Sequence, residues 1–489
     1  MNRAANPDWQ PNRGGNMEMA VRTERLVWKD WRRTLGLIFS GSLCFLAAYQ
    51  NTHFRFLLVP FLWCVLELAK APTWRQAFYP TLGMGLIIYS YEASFFWNIF
   101  GAASIVLWLI LSFWLAFFAV LARLAGSLRT PFASLFLLPI LWTGLEYFRS
   151  EVYPLKFSWF SLGYCWSEDP WQLRWTGVYG MGMLVVSLVV LGRMLPGATN
   201  WISQVVTMVV LAINSWIPSQ PPSRTAKAAE SVPIAGLQME MPMERELVAA
   251  LDNLRRQHPE SKLIVLSEYT LATPPTDSIR AWCQRNQVYL ILGGKDPIGD
   301  GPNDFRNTAF VVGPSGETVF RQVKSVPIQF FQDGQPAATQ DLWNSPWGKI
   351  GLLVCYDQSY RRVVDRLVQQ GAQALIVISF DAQEWGQQEH LHHRRVARIR
   401  AGELQIPIFR VGNTGYAQHV DCHGVCLAST SWPGTGAHLF GLLDLVRAPK
   451  LPWDHWVAPA SASITGFFAL FQGVVWLVRH RTRAAQACA

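Results

Sequence analysis

The chain has 489 residues, 51% of them hydrophobic and only 15% charged, a composition that excludes an intrinsically disordered protein. Its 42 Lys and Arg against 33 Asp and Glu give a net charge of +9. In a soluble protein that excess would point to nucleic acid, but here many basic residues flank long apolar stretches, where cytoplasmic retention and anionic lipid account for them; no nucleic-acid partner is expected.

After a polar, basic tail over residues 1–33, apolar stretches cover 35–50, 55–69, 82–99, 103–120, 131–147, 178–192 and 205–217, and an eighth covers 464–478. Several fall short of the roughly 20 residues that cross a bilayer, but flanking aromatics extend most of them, and eight crossings are predicted. The N-terminus lacks a cleavage pattern, so the first helix is expected to be a retained anchor. Basic groups follow the expected alternation. Arg22, Arg25, Lys29, Arg32 and Arg33 precede the first helix, Lys70 and Arg75 lie between the second and third, and Arg123 and Arg129 between the fourth and fifth. Arg193 follows the sixth, and Arg479, Arg481 and Arg483 follow the eighth. All five groups share one side if seven helices come first, which puts the region from 218 to 463 on the outer face, although Arg149, Lys156 and Arg174 dilute the bias. Glu67, Glu92 and Glu146 lie toward the ends of their spans rather than at mid-span, which argues against a transporter.

The resulting organisation is a cytoplasmic tail (1–33), a seven-helix transmembrane domain (34–217), a linker (218–231), an outer domain (232–456), an eighth transmembrane helix (457–478) and a short tail (479–489). In the outer domain, strands are predicted at 233–237, 262–266, 288–293, 308–312, 318–322, 349–355, 374–379, 406–411 and 424–428. Helical patterns fit 243–257, 276–286, 360–370 and 388–404. Such mixed units favour two packed sheets with helices outside. Gly293-Gly294-Lys295 lacks the spacing of a phosphate-cradling loop, so no nucleotide is assigned. Cys165, Cys283, Cys355, Cys422 and Cys426 belong to the outward side, and an odd number leaves at least one unpaired. Cys422 and Cys426 could form a bridge, but without companion ligands they are a weak zinc signal; no metal is expected.

Three residues carry chemistry. Cys355 ends the apolar run Gly351-Leu352-Leu353-Val354, and a thiol where a strand turns can be exposed to attack a carbonyl, whereas in mid-strand it would be filler. Glu268 likewise closes an apolar run, where a partly buried carboxyl can take the thiol proton and later activate a second substrate; the plainer reading is a solvent-facing acid. Lys324 follows the short strand 318–322, where its ammonium would favour the thiolate and hold an oxyanion, though taken alone it reads as a surface lysine. Together they suffice for acyl transfer through a thioester that an amine or water then attacks, and no histidine is required.

Leu266-Ser267-Glu268-Tyr269, Lys324-Ser325-Val326-Pro327 and Leu353-Val354-Cys355-Tyr356-Asp357 occur in that order, and through them the chain resembles the nitrilase superfamily. The resemblance implies an α-β-β-α sandwich with a Glu-Lys-Cys site and no cofactor. More narrowly, the chain is similar to the apolipoprotein N-acyltransferase family, which joins this domain to eight membrane helices. Glu146, the text of 157–164, Trp385-Gly386, the text of 398–403 and Asn413-Thr414-Gly415 look like its landmarks. That narrower likeness implies a bacterial inner-membrane enzyme whose catalytic domain faces the periplasm. A phospholipid would give its acyl group to Cys355, and the α-amine of a diacylglyceryl-cysteine lipoprotein would receive it. Asp357 would support the nucleophile. One departure stands out: Gln332 falls where the family has a second glutamate, leaving Asp333 or Glu317 as substitutes.

Anchors at both ends favour a lipidic donor, because a site held above the bilayer shortens the search for an ester at headgroup level. Phe330, Phe331 and Trp385 are candidates to line an acyl path, with ordinary core packing as the alternative. Trp159, Trp166, Trp171 and Trp175 suit the headgroup region, and 326–340 is a candidate covering loop. A monomer is expected. The rival readings are a membrane-tethered amidase or hydrolase that uses water, an acyltransferase for a different amine, and a noncatalytic lipid-binding scaffold.

Overall fold

The computed structural model describes residues 13–126, 131–216, 230–301, 303–447 and 449–488, so the predicted linker lies almost wholly outside the described residues. Each of the eight apolar stretches is mostly helical over its described residues. The first part of the chain folds as α1 (Arg13–Gln50), a 3-10 turn (Thr52–Leu57), α2 (Leu58–Leu68), α3 (Trp74–Glu92), α4 (Phe95–Phe100), α5 (Ser104–Gly126), α6 (Pro131–Tyr147), α7 (Gly177–Met194) and α8 (Ala198–Trp216). The third predicted stretch is thus two helices, α3 and α4, broken at Ala93 and Ser94. A capping box between Thr73 and Gln76 starts α3. Among the described residues, Phe95–Gly126, Gly177–Met194 and Asp454–Arg479 are long and apolar enough to cross a membrane.

The basic loops gather physically at one end of this bundle. Glu67 at the end of α2 receives Arg33 at 2.7 Å, Lys70 at 2.8 Å and Arg193 at 2.6 Å, and Arg123 donates to the carbonyls of Ala71 and Pro72. At the other end Arg149, one of the residues that diluted the charge bias, is buried inside the protein. The tryptophans between α6 and α7 divide: Trp159 and Trp166 are packed in the interior, Trp171 is half-buried, and Trp175 alone of the four is exposed, at 61%.

The α/β domain runs β1 (Glu230–Leu237), α9 (Glu244–Gln257), β2 (Leu263–Val265), α10 (Asp277–Asn286), β3 (Tyr289–Pro297), β4 (Phe305–Val312), β5 (Thr318–Val323), β6 (Leu342–Ser345), β7 (Gly348–Val354), α11 (Arg361–Gln369), β8 (Ala374–Ser379), α12 (Gln387–Leu404), β9 (Ile408–Gly412), β10 (Gln418–Val420), β11 (Cys426–Ser429) and β12 (His438–Leu445). Two six-stranded sheets form, in the orders β12-β1-β2-β3-β4-β5 and β11-β10-β9-β8-β7-β6. Each has three adjacent parallel strands, β1-β2-β3 and β7-β8-β9, with antiparallel neighbours. Strand alternation splits the core: Ala235, Leu237 and Ile264 pack outward against Leu247 and Leu251 of α9 and Trp282 of α10, while Val232, Ile234, Leu263 and Val265 join the inter-sheet core with Ile350, Leu352 and Ile376. The result is an α-β-β-α sandwich. Among the described residues Cys44, Cys64, Cys165, Cys283, Cys355 and Cys426 carry free thiols, so no bridge joins Cys422 to Cys426.

The final helix, α13 (Asp454–Cys488), begins ten residues before the predicted apolar stretch. Its first residue explains the difference. Buried Asp454 accepts Tyr179 N at 3.0 Å and Gly180 N at 3.3 Å, and pairs with Arg361 of α11, so one carboxylate ties α13, α7 and the sandwich together. The segment between α6 and α7 continues this junction. Trp159 Nε1 donates to Ser359 Oγ at 3.0 Å, Ser158 Oγ to Ser359 O at 3.1 Å, and Tyr356 and Tyr360 hydroxyls to Lys156 O at 3.3 and 3.2 Å. The turn that follows β7 is therefore seated on the helical bundle.

Candidate active site

Glu268, Lys324 and Cys355 lie far apart in sequence, and the sandwich brings them together because each follows the end of a strand: β2 and β5 of one sheet and β7 of the other. Cys355 is the first residue after β7 and has φ +51, a left-handed conformation that a non-glycine residue adopts only under constraint. Tyr269 (φ +53) and Phe330 (φ +71) share this strain within the same site. The sharp turn faces the thiol into a cleft rather than into the inter-sheet core.

Lys324 Nζ lies 2.9 Å from Glu268 Oε1 and 2.7 Å from Asp333 Oδ2. Asn307 Nδ2 bridges the two acids, donating to Glu268 Oε1 at 2.5 Å and Asp333 Oδ1 at 2.8 Å. Tyr269 OH and Ile328 N donate to Asp333 at 2.8 Å each, and Phe380 N donates to Glu268 Oε2 at 2.7 Å. Of the residues considered for the second acidic position, Asp333 is buried beside the lysine, whereas Gln332 and Glu317 are exposed. The supporting carboxylate thus stands one residue beyond the position the resemblance marked. Asn307, Tyr269 and the Phe380 amide went unrecognised in the sequence; Tyr269 had the one available signal, its place beside Glu268.

Asp357 makes no side-chain contact with the ammonium. Its carboxylate accepts the N–H groups of Ser325 (3.0 and 3.1 Å), Val326 (2.8 Å) and Val354 (3.3 Å), fastening the segment after Lys324 to the strand end that carries Cys355. Burial pushes its carboxyl up to about 6, against the pull of those N–H donors.

Burial raises Glu268, with Lys324 opposing and Asp333 reinforcing that shift. For Lys324 burial alone would lower the value, but the carboxylates of Asp333 and Glu268 hold it well above the usual lysine range. Burial likewise pushes Asp333 up, yet the ammonium overcomes it and keeps the carboxyl below its ordinary value. The Cys355 thiol is pushed well up by burial and by Glu268, and Lys324 does not compensate. Lys324 does favour the thiolate, as expected, but burial outweighs it, so a neighbouring base has to take the proton when the sulfur attacks.

Two clefts reach this cluster. An apolar one of about 820 Å³ runs from Cys355 and Tyr356 along Phe96 and Phe100 of α4 and Leu107, Ile110 and Leu111 of α5. A wider one of about 1060 Å³ reaches Glu268, Lys324 and Asp333 from the other side, past Tyr269 and Lys295. Ile328, Phe331 and Trp385 border both. The Phe331 ring lies 6.0 Å from Trp385 and 5.8 Å from Phe100, so these aromatics form a partition between the two approaches. Phe330 also lines the apolar cleft but is 70% exposed. Cys355 Sγ, a carboxylate oxygen of Asp381 and a ring nitrogen of His393 all lie within 4.8 Å of one another.

Residues 40–191 match the family model for the apolipoprotein N-acyltransferase N-terminal domain, and residues 255–436 match that for carbon-nitrogen hydrolases. An apolipoprotein N-acyltransferase of Shewanella oneidensis is 24% identical over 390 residues, covering 68% of this chain and 74% of that protein. One of Geobacter metallireducens is 25% identical over 333 residues, covering 58% of this chain and 64% of its own length. The chain belongs to the nitrilase superfamily, in its apolipoprotein N-acyltransferase family. Among solved structures, Saccharomyces cerevisiae Nit3, a member of branch 10 of the nitrilase superfamily, aligns with 44% of this chain and 91% of its own at 18% identity and a TM-score of 0.39. In this apolipoprotein N-acyltransferase family member, the two matched segments correspond to the helical bundle and the sandwich, and the apolar cleft lies where they meet.

Proposed function

We propose that the chain is a multi-pass membrane enzyme that moves an acyl chain from phospholipid to the N-terminal amine of diacylglyceryl-cysteine lipoproteins through a thioester on Cys355. The observation that carries this reading is the double lining of Cys355: the buried Glu268–Lys324–Asp333 cluster on one side and, on the other, an apolar cleft walled in part by α4 and α5 of the bundle. A hydrolase of small soluble amides has no use for that cleft, whereas a fatty acyl chain fills it by the ordinary hydrophobic effect. The gathering of basic residues around Glu67, at the end of the bundle away from the sandwich, supports a cytoplasmic placement of that end and a periplasmic site in the bacterial inner membrane.

Glu268 takes the thiol proton as Cys355 Sγ attacks the ester carbonyl, and Lys324 stabilises the oxyanion that forms. Collapse expels the lysophospholipid oxygen, which receives the proton from Glu268 and leaves the acyl group as a thioester. The acceptor amine then attacks the thioester carbon, the C–S bond breaks, and the sulfur recovers a proton. Asp333 positions Lys324, and Asp357 positions the segments bearing Lys324 and Cys355. Phe330, Phe331 and Trp385 border the acyl chain.

Mass spectrometry on wild-type and Cys355→Ala protein, each incubated with phospholipid and a diacylglyceryl-cysteine peptide, tests the reading. An acyl-sized mass gain on the peptide amine with wild type alone is the expected result. Release of free fatty acid with the peptide unchanged would replace it with the hydrolase.

A further inference from the structure

Proton balance separates the two half-reactions of the proposed transfer, and the inference rests on that reading. In the first, the thiol proton ends on the departing lysophospholipid oxygen and none is left over. In the second, the acceptor arrives as an ammonium and loses two protons to become an amide nitrogen, of which sulfur takes back one. The remaining proton has to leave first, because an ammonium has no lone pair with which to attack. Glu268 is poorly placed to accept both, since its Oε1 already receives Lys324 and Asn307 and its Oε2 receives Phe380 N.

We propose that His393 is a second base of this site, taking the first proton from the acceptor ammonium on its Nε2. The residue lies on α12 and borders the same cleft as Cys355, with a ring nitrogen within 4.8 Å of the sulfur. Its Nδ1 lies 2.7 Å from Asp381 Oδ1, and Asp381 is paired through its other oxygen with Arg410. A carboxylate held in this way accepts a proton-bearing Nδ1, which fixes the tautomer and leaves the lone pair on Nε2. That Nε2 is buried and has no partner among the described residues. The ring stacks on Trp159, 5.3 Å between centroids and 25° from parallel, so its orientation is set on both faces of the junction.

The other charged groups facing the ring are Arg410, with Nη2 3.1 Å from Nδ1, and Glu389, with Oε1 3.6 Å from Nδ1; His390 and Lys324 lie in the next circle. Burial and Arg410 push the imidazole below its usual value, while Asp381 opposes them. Burial and the Asp381 carboxylate push the Glu389 carboxyl well up. Once charged, the imidazolium faces Asp381 directly, and the proton passes to solvent after the product leaves.

The test measures the two half-reactions apart. Wild-type and His393→Gln protein are first given phospholipid alone, and acylation of Cys355 is followed by intact-protein mass. A diacylglyceryl-cysteine peptide is then added, and decay of the acyl-enzyme is followed as pH is raised. The expected result is acylation within about threefold of wild type, which also establishes that the variant folds, and transfer slowed about thirtyfold or more near neutral pH. The variant depends on bulk-deprotonated amine, so its transfer rate should climb about tenfold per pH unit until the amine's own pKa near 8, while wild type changes less. In His393→Ala, added imidazole should restore transfer without affecting acylation. Equal slowing of both halves, or a transfer deficit independent of pH and of imidazole, would reduce His393 to a structural role and overturn the assignment. Failure of wild type to form any acyl-enzyme would instead remove the proposed function itself.

Discussion

Asp333 Oδ2 lies 2.7 Å from Lys324 Nζ, so the buried ammonium is shared between two carboxylates, with Glu268 at 2.9 Å on the other bond. Removing one partner of a buried pair leaves uncompensated charge and costs about 3–5 kcal/mol. Asp333→Asn should therefore lower the thermal midpoint and slow acyl-enzyme formation by roughly 100-fold, the scale of losing an electrostatic contact to a transition state. Gln332→Ala should stay within about twofold of wild type in both measurements. Impairment of Gln332→Ala to the level of Asp333→Asn would return the supporting role to residue 332.

The apolar cleft makes acyl-chain length readable from one helix. Ile110 and Leu111 of α5 line it about one turn from Leu107, and Ile110 is only half-buried, so a larger side chain there can project into the cleft at little cost to packing. Ile110→Trp should shift acceptance toward shorter acyl chains while leaving the rate with those short chains near wild type. Competition between phospholipids of mixed chain length, scored by the mass of the acylated peptide, measures the shift. An unchanged product ratio would mean that the chain does not run along α5.

Asp357 gives a pH signature of defined sign. An unfolded aspartate titrates near 3.9 and this one is pushed up to about 6, so between those values the folded protein holds more protons than the unfolded one. Stability should then fall as pH rises through that window, by about 3 kcal/mol. Catalysis runs the opposite way, since the carboxylate accepts its N–H donors fully only when ionised. Asp357→Asn should flatten the slope of melting temperature between about pH 4 and 6 relative to wild type. An identical slope in the variant would assign the titration to another buried acid.

Glu268, Lys324 and Cys355 were legible because each closes an apolar or alternating run, which marks a strand end. The choice between Gln332 and Asp333 was not, since residues 324–341 carry no period that says which side chain turns inward. His393 sits in the run His390-Leu391-His392-His393 on a helix the periodicity found, but which histidine faces the thiol depends on how α12 packs. His392 instead faces Glu92 of the bundle, at 3.3 Å. The start of α13 was equally hidden, because Asp454 is stabilised by Arg361, Tyr179 and Gly180, all distant in sequence. Strands β6 and β10, of four and three residues, are too short to show alternation.

Gly293 in β3 had read merely as part of a failed phosphate motif, and the structure gives it a different reason to be glycine. A Cβ there would stand 2.6 Å from Glu268 Cα and 2.7 Å from Tyr269 N, in a strand whose Gly293 amide also donates to Ser267 O at 3.1 Å. Backbone on both sides leaves no flexible side chain to yield, so Gly293→Ala has to move Glu268 by several tenths of an ångström or more. That displacement lengthens the bonds to Lys324 and the Phe380 amide, whose geometry sets the base. The variant should fold, with stability reduced by about 1–3 kcal/mol, and lose about 100-fold in acylation rate. The distinguishing measurement is single-turnover acylation of Cys355 beside a melting curve. A loss of stability with no loss of rate would show that Glu268 tolerates the shift, and that its placement is less demanding than the three contacts to its carboxylate imply.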